Sequence, residues 1–237
     1  MTRRRVWRST AVATVLTCWL TAGVGPASAS PARIVHLSTV STAQPTSEDP
    51  HVVSTRQRRL HSAARVITVD SAATASSACD GCTGDAVTLQ IVYLRHARDM
   101  TVENLASAMS SCVGCASSAL SVQVVIGQTP QVLTANNRSM AVNSSCTGCT
   151  TTAAAYQFVL VSNSQRDLSR QGRALVAQIR DEMEQLLSAR QVPQVSQPDS
   201  TERLRAALES SGNRLQAVLA ADLKARPAKR QLDLRTG

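Results

Sequence analysis

Large aromatic side chains are scarce in this sequence. Its 237 residues include two tryptophans, two tyrosines and one phenylalanine, too few to build a stacking platform for nucleic-acid bases. Lysine is also rare, because Lys224 and Lys229 are the only lysines among 25 basic residues. One apolar run near the start approaches membrane-spanning length, which excludes a polytopic membrane protein. We therefore expect no nucleic-acid partner, and a core that takes its rigidity from something other than aromatic packing.

Recognisable catalytic motifs are missing as well. The sequence has no H-E-x-x-H, no G-x-S-x-G and no phosphate-binding glycine loop. Of the four histidines, only His96 lies near the cysteine motifs described below, and it is isolated. We therefore expect a protein that is not an enzyme and has no cofactor and no metal.

The first 29 residues have the pattern of an export signal. A basic segment precedes a short apolar run, 11–24, and Ala27-Ser28-Ala29 places small residues where a signal peptidase cleaves. We predict a signal peptide over 1–29, cleavage after Ala29, no membrane span after cleavage, and a secreted or extracytoplasmic protein. The arginine-rich start fits both the general secretory and the twin-arginine route, which stay open. Cleavage after Ala29 would remove four arginines and no acidic residue, so the formal net charge would fall from +9 to +5.

The next segment, 30–65, is rich in serine, threonine, proline and glutamine and lacks apolar periodicity. It is predicted to be a flexible leader. Arg56, Arg58 and Arg59 form a basic cluster in it, interpreted as a solvated stretch, with contact to an anionic envelope polymer as the alternative. A first short strand is predicted at 66–69.

A repeat occupies residues 79–161. Three C-x-G-C motifs are spaced by 33 and then 34 residues, each followed at fixed offsets by an alanine, a glutamine and two apolar residues. The cysteines are Cys79, Cys82, Cys112, Cys115, Cys146 and Cys149; the glycines are Gly81, Gly114 and Gly148; the glutamines are Gln90, Gln123 and Gln157. Such matched copies indicate one structural unit repeated three times.

Each segment after a motif alternates with period two, which predicts a strand with one apolar face and one small or amide-bearing face. In parallel register the three glutamines would stack as a ladder. Thr101 and Thr134 are predicted to cap short helices over 102–110 and 135–142, between the strands. We therefore expect an α/β fold: a small, largely parallel sheet built from three helix–CxGC–strand repeats over 66–162, with right-handed crossovers.

The pattern changes after residue 162. Apolar residues recur at three- and four-residue spacing over about 165–190 and 200–225, which predicts two amphipathic helices forming a hairpin within 163–226. Pro193 and Pro198 separate them. The pair is expected to pack on the sheet or on itself, with a homodimer as the alternative. Residues 227–237 are predicted to be a polar tail.

The six cysteines of the repeat admit three chemical roles. In an exported chain, an even and patterned set first indicates disulfides, and a left-handed glycine at the third position favours pairing within each motif. Two C-x-x-C pairs can also complete a tetrahedral zinc site, although three pairs divide awkwardly. Dithiol redox chemistry is the third role, although each motif is predicted to follow a helix, where the dipole disfavours a thiolate.

The motif and its trailing alanine, glutamine and valine resemble segments of secreted actinobacterial proteins of unassigned function. The same module occurs in some proteins labelled as peptide zinc metalloprotease relatives. This resemblance covers 71–161 and implies no catalytic residues here. We expect an exported binding or structural module of the cell envelope or medium with an unidentified partner; a thiol–disulfide or zinc-binding protein is the alternative.

Overall fold

Long parallel strands make up most of the chain after its first thirty residues. The structure is a computed structural model that describes residues 33–163, 166–189 and 198–237, so the predicted signal peptide lies outside the described residues. The parallel strands are β1 Ile34–Ala43, β2 His51–Ser62, β3 Val66–Ser77, β4 Thr83–Leu94, β5 Asp99–Ser110, β6 Ala116–Gly127, β7 Val132–Asn143 and β8 Thr150–Val161. The predicted strand at 66–69 is the start of β3.

The strands stack as a β-solenoid of about four coils, each made of one odd-numbered and one even-numbered strand. Odd strands form sheet 1, in the order β1-β3-β5-β7, and even strands form sheet 2, in the order β2-β4-β6-β8. A residue therefore lies beside its counterpart in the next coil: Leu89 pairs with Val122, and Val122 with Tyr156. The parallel sheet that the repeat predicts is confirmed, but there are two such sheets.

The two faces of sheet 2 have different neighbours. Its small and amide-bearing face turns inward against sheet 1, where Ala86, Ala119 and Ala153 join alanines of the odd strands. Its apolar face, which includes Leu89 and Phe158, packs under two helices. The fold thus has three layers, and the small interior residues let the two sheets approach without aromatic side chains between them.

The two predicted C-terminal helices are confirmed. They are α1 Arg170–Ser188, capped by the Ser169 side chain, and α2 Pro198–Leu223. They run antiparallel: Ser169 N–H at the start of α1 donates to Asp222 near the end of α2 at 2.7 Å, and further along α1 Glu182 pairs with Arg214 at 2.5 Å. Their buried residues join the apolar face of sheet 2 in one core, which is the packing role expected of them. No helix in the described ranges is both long and apolar enough to cross a membrane.

The predicted helices between the strands are wrong. Residues 102–110 and 135–142 lie within β5 and β7. Thr101 and Thr134 suggested helix caps, but in β5 the residues alternate between the interior and the outer face: Val102, Asn104 and Ala106 are buried, whereas Leu105 is exposed. Hydrogen bonding to neighbouring strands in register overrides the weak helical propensity of these residues.

The flexible leader and the polar tail also differ from the prediction. Residues 34–43 and 51–62 form β1 and β2, the first coil, although these strands contribute few large apolar residues. Residues 226–236 form β9 (Arg226–Thr236), which pairs antiparallel with β8 at the edge of sheet 2. Polar sequences form strands here because the adjacent coil supplies both their hydrogen bonds and a buried face.

The α2 helix lies close against Tyr156 of sheet 2 at Gly212. A Cβ atom at this position would overlap the hydroxyl and ring of Tyr156, so the glycine permits the contact. Burial raises the pKa of Tyr156 to about 12. Its protonated hydroxyl lies 3.2 Å from Arg230 Nε and 3.3 Å from the Glu209 carboxylate. The glycine and the phenol together fix the distance between helix and sheet.

We expect Gly212→Ala to destabilise the protein by about 1–3 kcal/mol, because the added methyl overlaps Tyr156. On helical propensity alone the same change would stabilise α2 by about 0.5–1 kcal/mol, so the sign of the effect is diagnostic. Urea unfolding measures the difference. The exposed neighbour Ser210 provides the control, since Ser210→Ala should leave stability unchanged or slightly raised. A stabilised Gly212→Ala variant would contradict the close contact.

Candidate functional site

The three C-x-G-C motifs form the turns along one edge of the solenoid, called here the cysteine edge. They connect β3 to β4, β5 to β6 and β7 to β8, and therefore follow strands rather than the predicted helices. Because consecutive coils stack in register, the motifs lie one above another. The structure thus brings all six predicted cysteines together.

Each motif has the same turn geometry. The glycine at the third position is left-handed, with φ of 69° at Gly81, 62° at Gly114 and 68° at Gly148. The two cysteine Cα atoms of each motif are 5.4, 5.8 and 5.9 Å apart, and their sulfur atoms lie at disulfide distance. A residue with a side chain would be strained in this left-handed conformation, which explains why the third position of each motif is glycine.

Backbone hydrogen bonds bind each turn to the next. Gly81 N–H donates to the Val113 carbonyl at 2.9 Å, and Gly114 N–H donates to the Thr147 carbonyl at 2.8 Å. The Asp80 carboxylate accepts from Val113 N–H at 2.8 Å. The cysteine edge is consequently a continuous hydrogen-bonded stack rather than three separate loops.

Sulfur atoms of the last two motifs also approach one another. Cys115 Sγ lies 3.3 Å from Cys149 Sγ and 3.8 Å from Cys146 Sγ. The three atoms all fall within 4.8 Å, a separation that three ligands of one metal ion can have. In the described chain this is the only such group of cysteine, histidine and carboxylate side chains. Cys115 is buried, whereas Cys146 and Cys149 are partly exposed.

The three glutamines line the interior as a ladder. Gln123 Nε2 donates to Gln90 Oε1 at 2.9 Å, and Gln157 Nε2 donates to Gln123 Oε1 at 3.0 Å. The same nitrogens reach backbone carbonyls of sheet 1: Asp70 from Gln90, Glu103 from Gln123 and Asn136 from Gln157. The ladder therefore links neighbouring coils along the solenoid and also joins its two sheets.

A second polar column lies beside the glutamines and did not emerge from the sequence. Asn104 Nδ2 donates to Asn137 Oδ1 at 2.8 Å, one coil away, and also reaches the Ser121 carbonyl at 3.0 Å. Ser71, Thr88 and Ser121 form a triangle of hydroxyls with sides of 2.7–3.0 Å. The asparagines are 33 residues apart, so the repeat period would have aligned them had 102–110 and 135–142 been predicted as strands.

The glutamine ladder ends at the C-terminal coil. Gln231 of β9 pairs with Gln157 in register, and within the described chain both side-chain oxygens are buried without a hydrogen-bond partner. β9 covers the last rung but leaves these two acceptors unsatisfied. Elsewhere it does satisfy backbone groups of β7, since Asp233 accepts from Ser139 N–H and Lys229 donates to the Ala135 carbonyl.

Comparison of the chain with protein-family models, with curated proteins and with solved structures finds no match. The resemblance to secreted C-x-G-C repeat proteins stays a prediction. What the fold and the edge define is a two-sheet parallel β-solenoid with stacked cysteine-pair turns and a helical layer on one face.

We expect Gln123→Ala, in the middle rung, to lower the free energy of unfolding by about 2–4 kcal/mol. The change leaves Gln90 Oε1 without its donor and Gln157 Nε2 without one acceptor, and it opens a cavity between the sheets. Urea unfolding at neutral pH measures the loss. Gln128→Ala, in an exposed turn, is the control and should cost less than about 0.5 kcal/mol. Equal costs at the two positions would refute a structural role for the ladder.

Proposed function

We propose that the chain is an exported, non-enzymatic protein whose disulfide-stapled solenoid acts as a binding or structural module in the cell envelope or the medium. The observation that carries this proposal is the stack of three cysteine pairs, each at disulfide distance within its own motif. Disulfides persist in oxidising compartments and are rare in the cytosol, so the stack favours a location outside the cytoplasm. The predicted signal over 1–29 supports the same location.

The staples suit this particular interior. Away from the cysteines, the space between the two sheets is filled by aliphatic side chains such as Ile67, Val92 and Val125. Beside the cysteine edge it is filled by alanines, which bury much less apolar surface. Three small-loop disulfides contribute roughly 2 kcal/mol each in the loop-entropy model. The disulfides thereby stabilise the C-x-G-C turns at the cysteine edge.

The arrangement of polar groups supports a structural role rather than catalysis. The buried amides and hydroxyls bond to one another and to backbone carbonyls, as in the glutamine ladder and the Ser71–Thr88–Ser121 triangle. Groups held in this way maintain the spacing of the sheets and are closed to a substrate. Recognition is therefore assigned to the outer surfaces of the solenoid, while the partner stays unidentified and a homodimer through α1 and α2 stays an alternative.

A tryptic map without reductant tests the proposal directly. Trypsin cleaves after arginine, so each motif falls on a separate peptide: 66–95, 99–138 and 139–166. For protein recovered from outside the cytoplasm, we expect three separate peptides, each with the mass of one internal disulfide. Reductant should add two hydrogens to each peptide without separating any cross-linked species. Recovery of six free thiols, or retention of the protein in the cytoplasm, would contradict the proposal.

One observation favours a second candidate, a thiol–disulfide or zinc-binding protein. It is the 3.3 Å separation between Cys115 Sγ and Cys149 Sγ. If an external dithiol reduces the Cys112–Cys115 bond, becoming oxidised itself, the freed Cys115 thiolate is within reach of Cys149 and attacks it after rotating into line with the Cys146–Cys149 bond. A Cys115–Cys149 bond then forms, the Cys146–Cys149 bond breaks, and Cys146 leaves as a thiolate. With both pairs fully reduced, the same three sulfurs are positioned to bind Zn²⁺.

Partial reduction with a dithiol, followed by alkylation and the same map, tests this second candidate. It predicts a cross-linked species joining 99–138 to 139–166, and zinc that binds the fully reduced protein stoichiometrically. Cys115→Ser should abolish both signals. The double variant Cys79→Ser/Cys82→Ser is the matched control and should keep them, since those cysteines are outside the three-sulfur group. If the unaltered protein shows no cross-linked species and binds no zinc, the candidate is eliminated.

A further inference from the structure

The edge opposite the cysteines carries a column of arginines in register. β1 and β3 pair from Ile34 and Val66 onward, and β3 and β5 pair from Val66 and Asp99 onward. Arg33, Arg65 and Arg98 each stand one residue before these positions, at the start of three neighbouring strands. A backbone hydrogen bond holds Arg65 and Arg98 side by side, because Arg98 N–H donates to the Arg65 carbonyl at 2.8 Å. We call Arg33, Arg65 and Arg98 the arginine column.

These guanidinium groups are exposed and unneutralised. Arg33, Arg65 and Arg98 are exposed, as are Arg95 and His96 in the adjoining turn. In the described chain none of these four arginines forms an ion pair. The nearest acid in sequence is the half-buried Asp99.

The cysteine edge, across the solenoid from the arginine column, carries exposed acidic residues. Glu48, Asp49 and Asp80 are exposed in the turns of the cysteine edge. Further basic residues lie in the middle of β2 in the first coil, where Arg56 and Arg58 are exposed. Exposed arginines are therefore grouped along one edge of the solenoid, with the exposed Asp167 near Arg95, and exposed acids along the other.

We propose that the arginine column binds a linear anionic polysaccharide, one whose carboxylate or phosphate groups are spaced along the chain. This inference rests on the proposed binding-module function and names the chemistry of its partner. Neighbouring coils are about 4.8 Å apart, so three guanidinium groups extend over roughly 10 Å along the solenoid axis. A single small anion meets one arginine, whereas a polymer with repeated charges meets all three.

Because the column consists of arginines and has no aromatic side chain beside it, it favours a polysaccharide over a nucleic acid. Arginine presents a planar fork that binds carboxylate and phosphate through paired hydrogen bonds. Single-stranded nucleic acid is disfavoured, because it is held by aromatic side chains stacked on its bases. Tyr93, Tyr156 and Phe158, the only tyrosines and phenylalanine of the chain, are buried. The column offers charge and repetition without a stacking surface.

A matched pair of triple variants tests the proposal. Arg33→Gln/Arg65→Gln/Arg98→Gln removes the column, and Arg138→Gln/Arg205→Gln/Arg235→Gln lowers the net charge equally at three other surface positions. Binding to alginate, which carries carboxylates, and to a phosphate-bearing mannan is measured by titration calorimetry at several salt concentrations. Neutral dextran and single-stranded DNA are the comparison polymers. Circular dichroism and urea unfolding verify that both variants fold.

We expect the unaltered protein to bind at least one anionic polysaccharide, with affinity that falls as salt increases. The column variant should lose about tenfold or more in affinity and show a shallower salt dependence, while the control variant stays within about twofold. Which polymer binds tells carboxylate from phosphate recognition. Binding of neither, equal losses in both variants, or tighter binding of DNA would overturn the inference. These outcomes do not depend on the disulfide map, so the two proposals can fail separately.

Discussion

The structure depends on repeated side-chain amides that bond to themselves from one coil to the next. In a β-solenoid every interior position repeats at the strand spacing, so an unpaired polar group would be buried once per coil. A carboxamide avoids this cost because it carries both a donor and an acceptor. Gln123 donates to Gln90 and accepts from Gln157, and each amide also bonds to the opposite sheet. The middle of the interior can therefore be polar, between aliphatic residues on one side and alanines on the other, and still satisfy most of its hydrogen-bonding groups.

The same register that aligns the interior also aligns the two edges. Because consecutive coils place equivalent residues side by side, a feature occurring once per coil becomes a column on the surface. At one edge this produces the stack of C-x-G-C turns, and at the other the exposed Arg33, Arg65 and Arg98. The two columns differ in chemistry but have a single geometric origin. Each cysteine pair closes a ring within one turn, so the spacing between neighbouring arginines is set by the pairing of the strands.

The sequence predicts best the elements that recur with the 33–34-residue repeat or with a helical period. The strands after each motif, their two faces, the parallel pairing and both C-terminal helices follow from spacing and alternation alone. The strands β5 and β7 do not, because Thr101 and Thr134 resemble helix caps and several interior residues, such as Asn104, Ala106 and Asn137, are small or polar. β1, β2 and β9 are harder still, since their strand character comes from pairing with a neighbouring coil. Asn104 and Asn137 were missed because they lie in β5 and β7, which were predicted as helices.

The two ends of the solenoid resist further strand addition by different means. At the C-terminal end β9 covers β8 in antiparallel pairing, and its Asp233 and Lys229 side chains satisfy backbone groups of β7. In the first coil, Arg56 and Arg58 occupy the positions that Thr88 and Gln90 occupy in the second. A further strand on β2 would bury these charges without partners, which disfavours edge-to-edge association. Breaking the ladder with arginine therefore protects the open coil and at the same time adds to the basic side from which we infer polyanion binding.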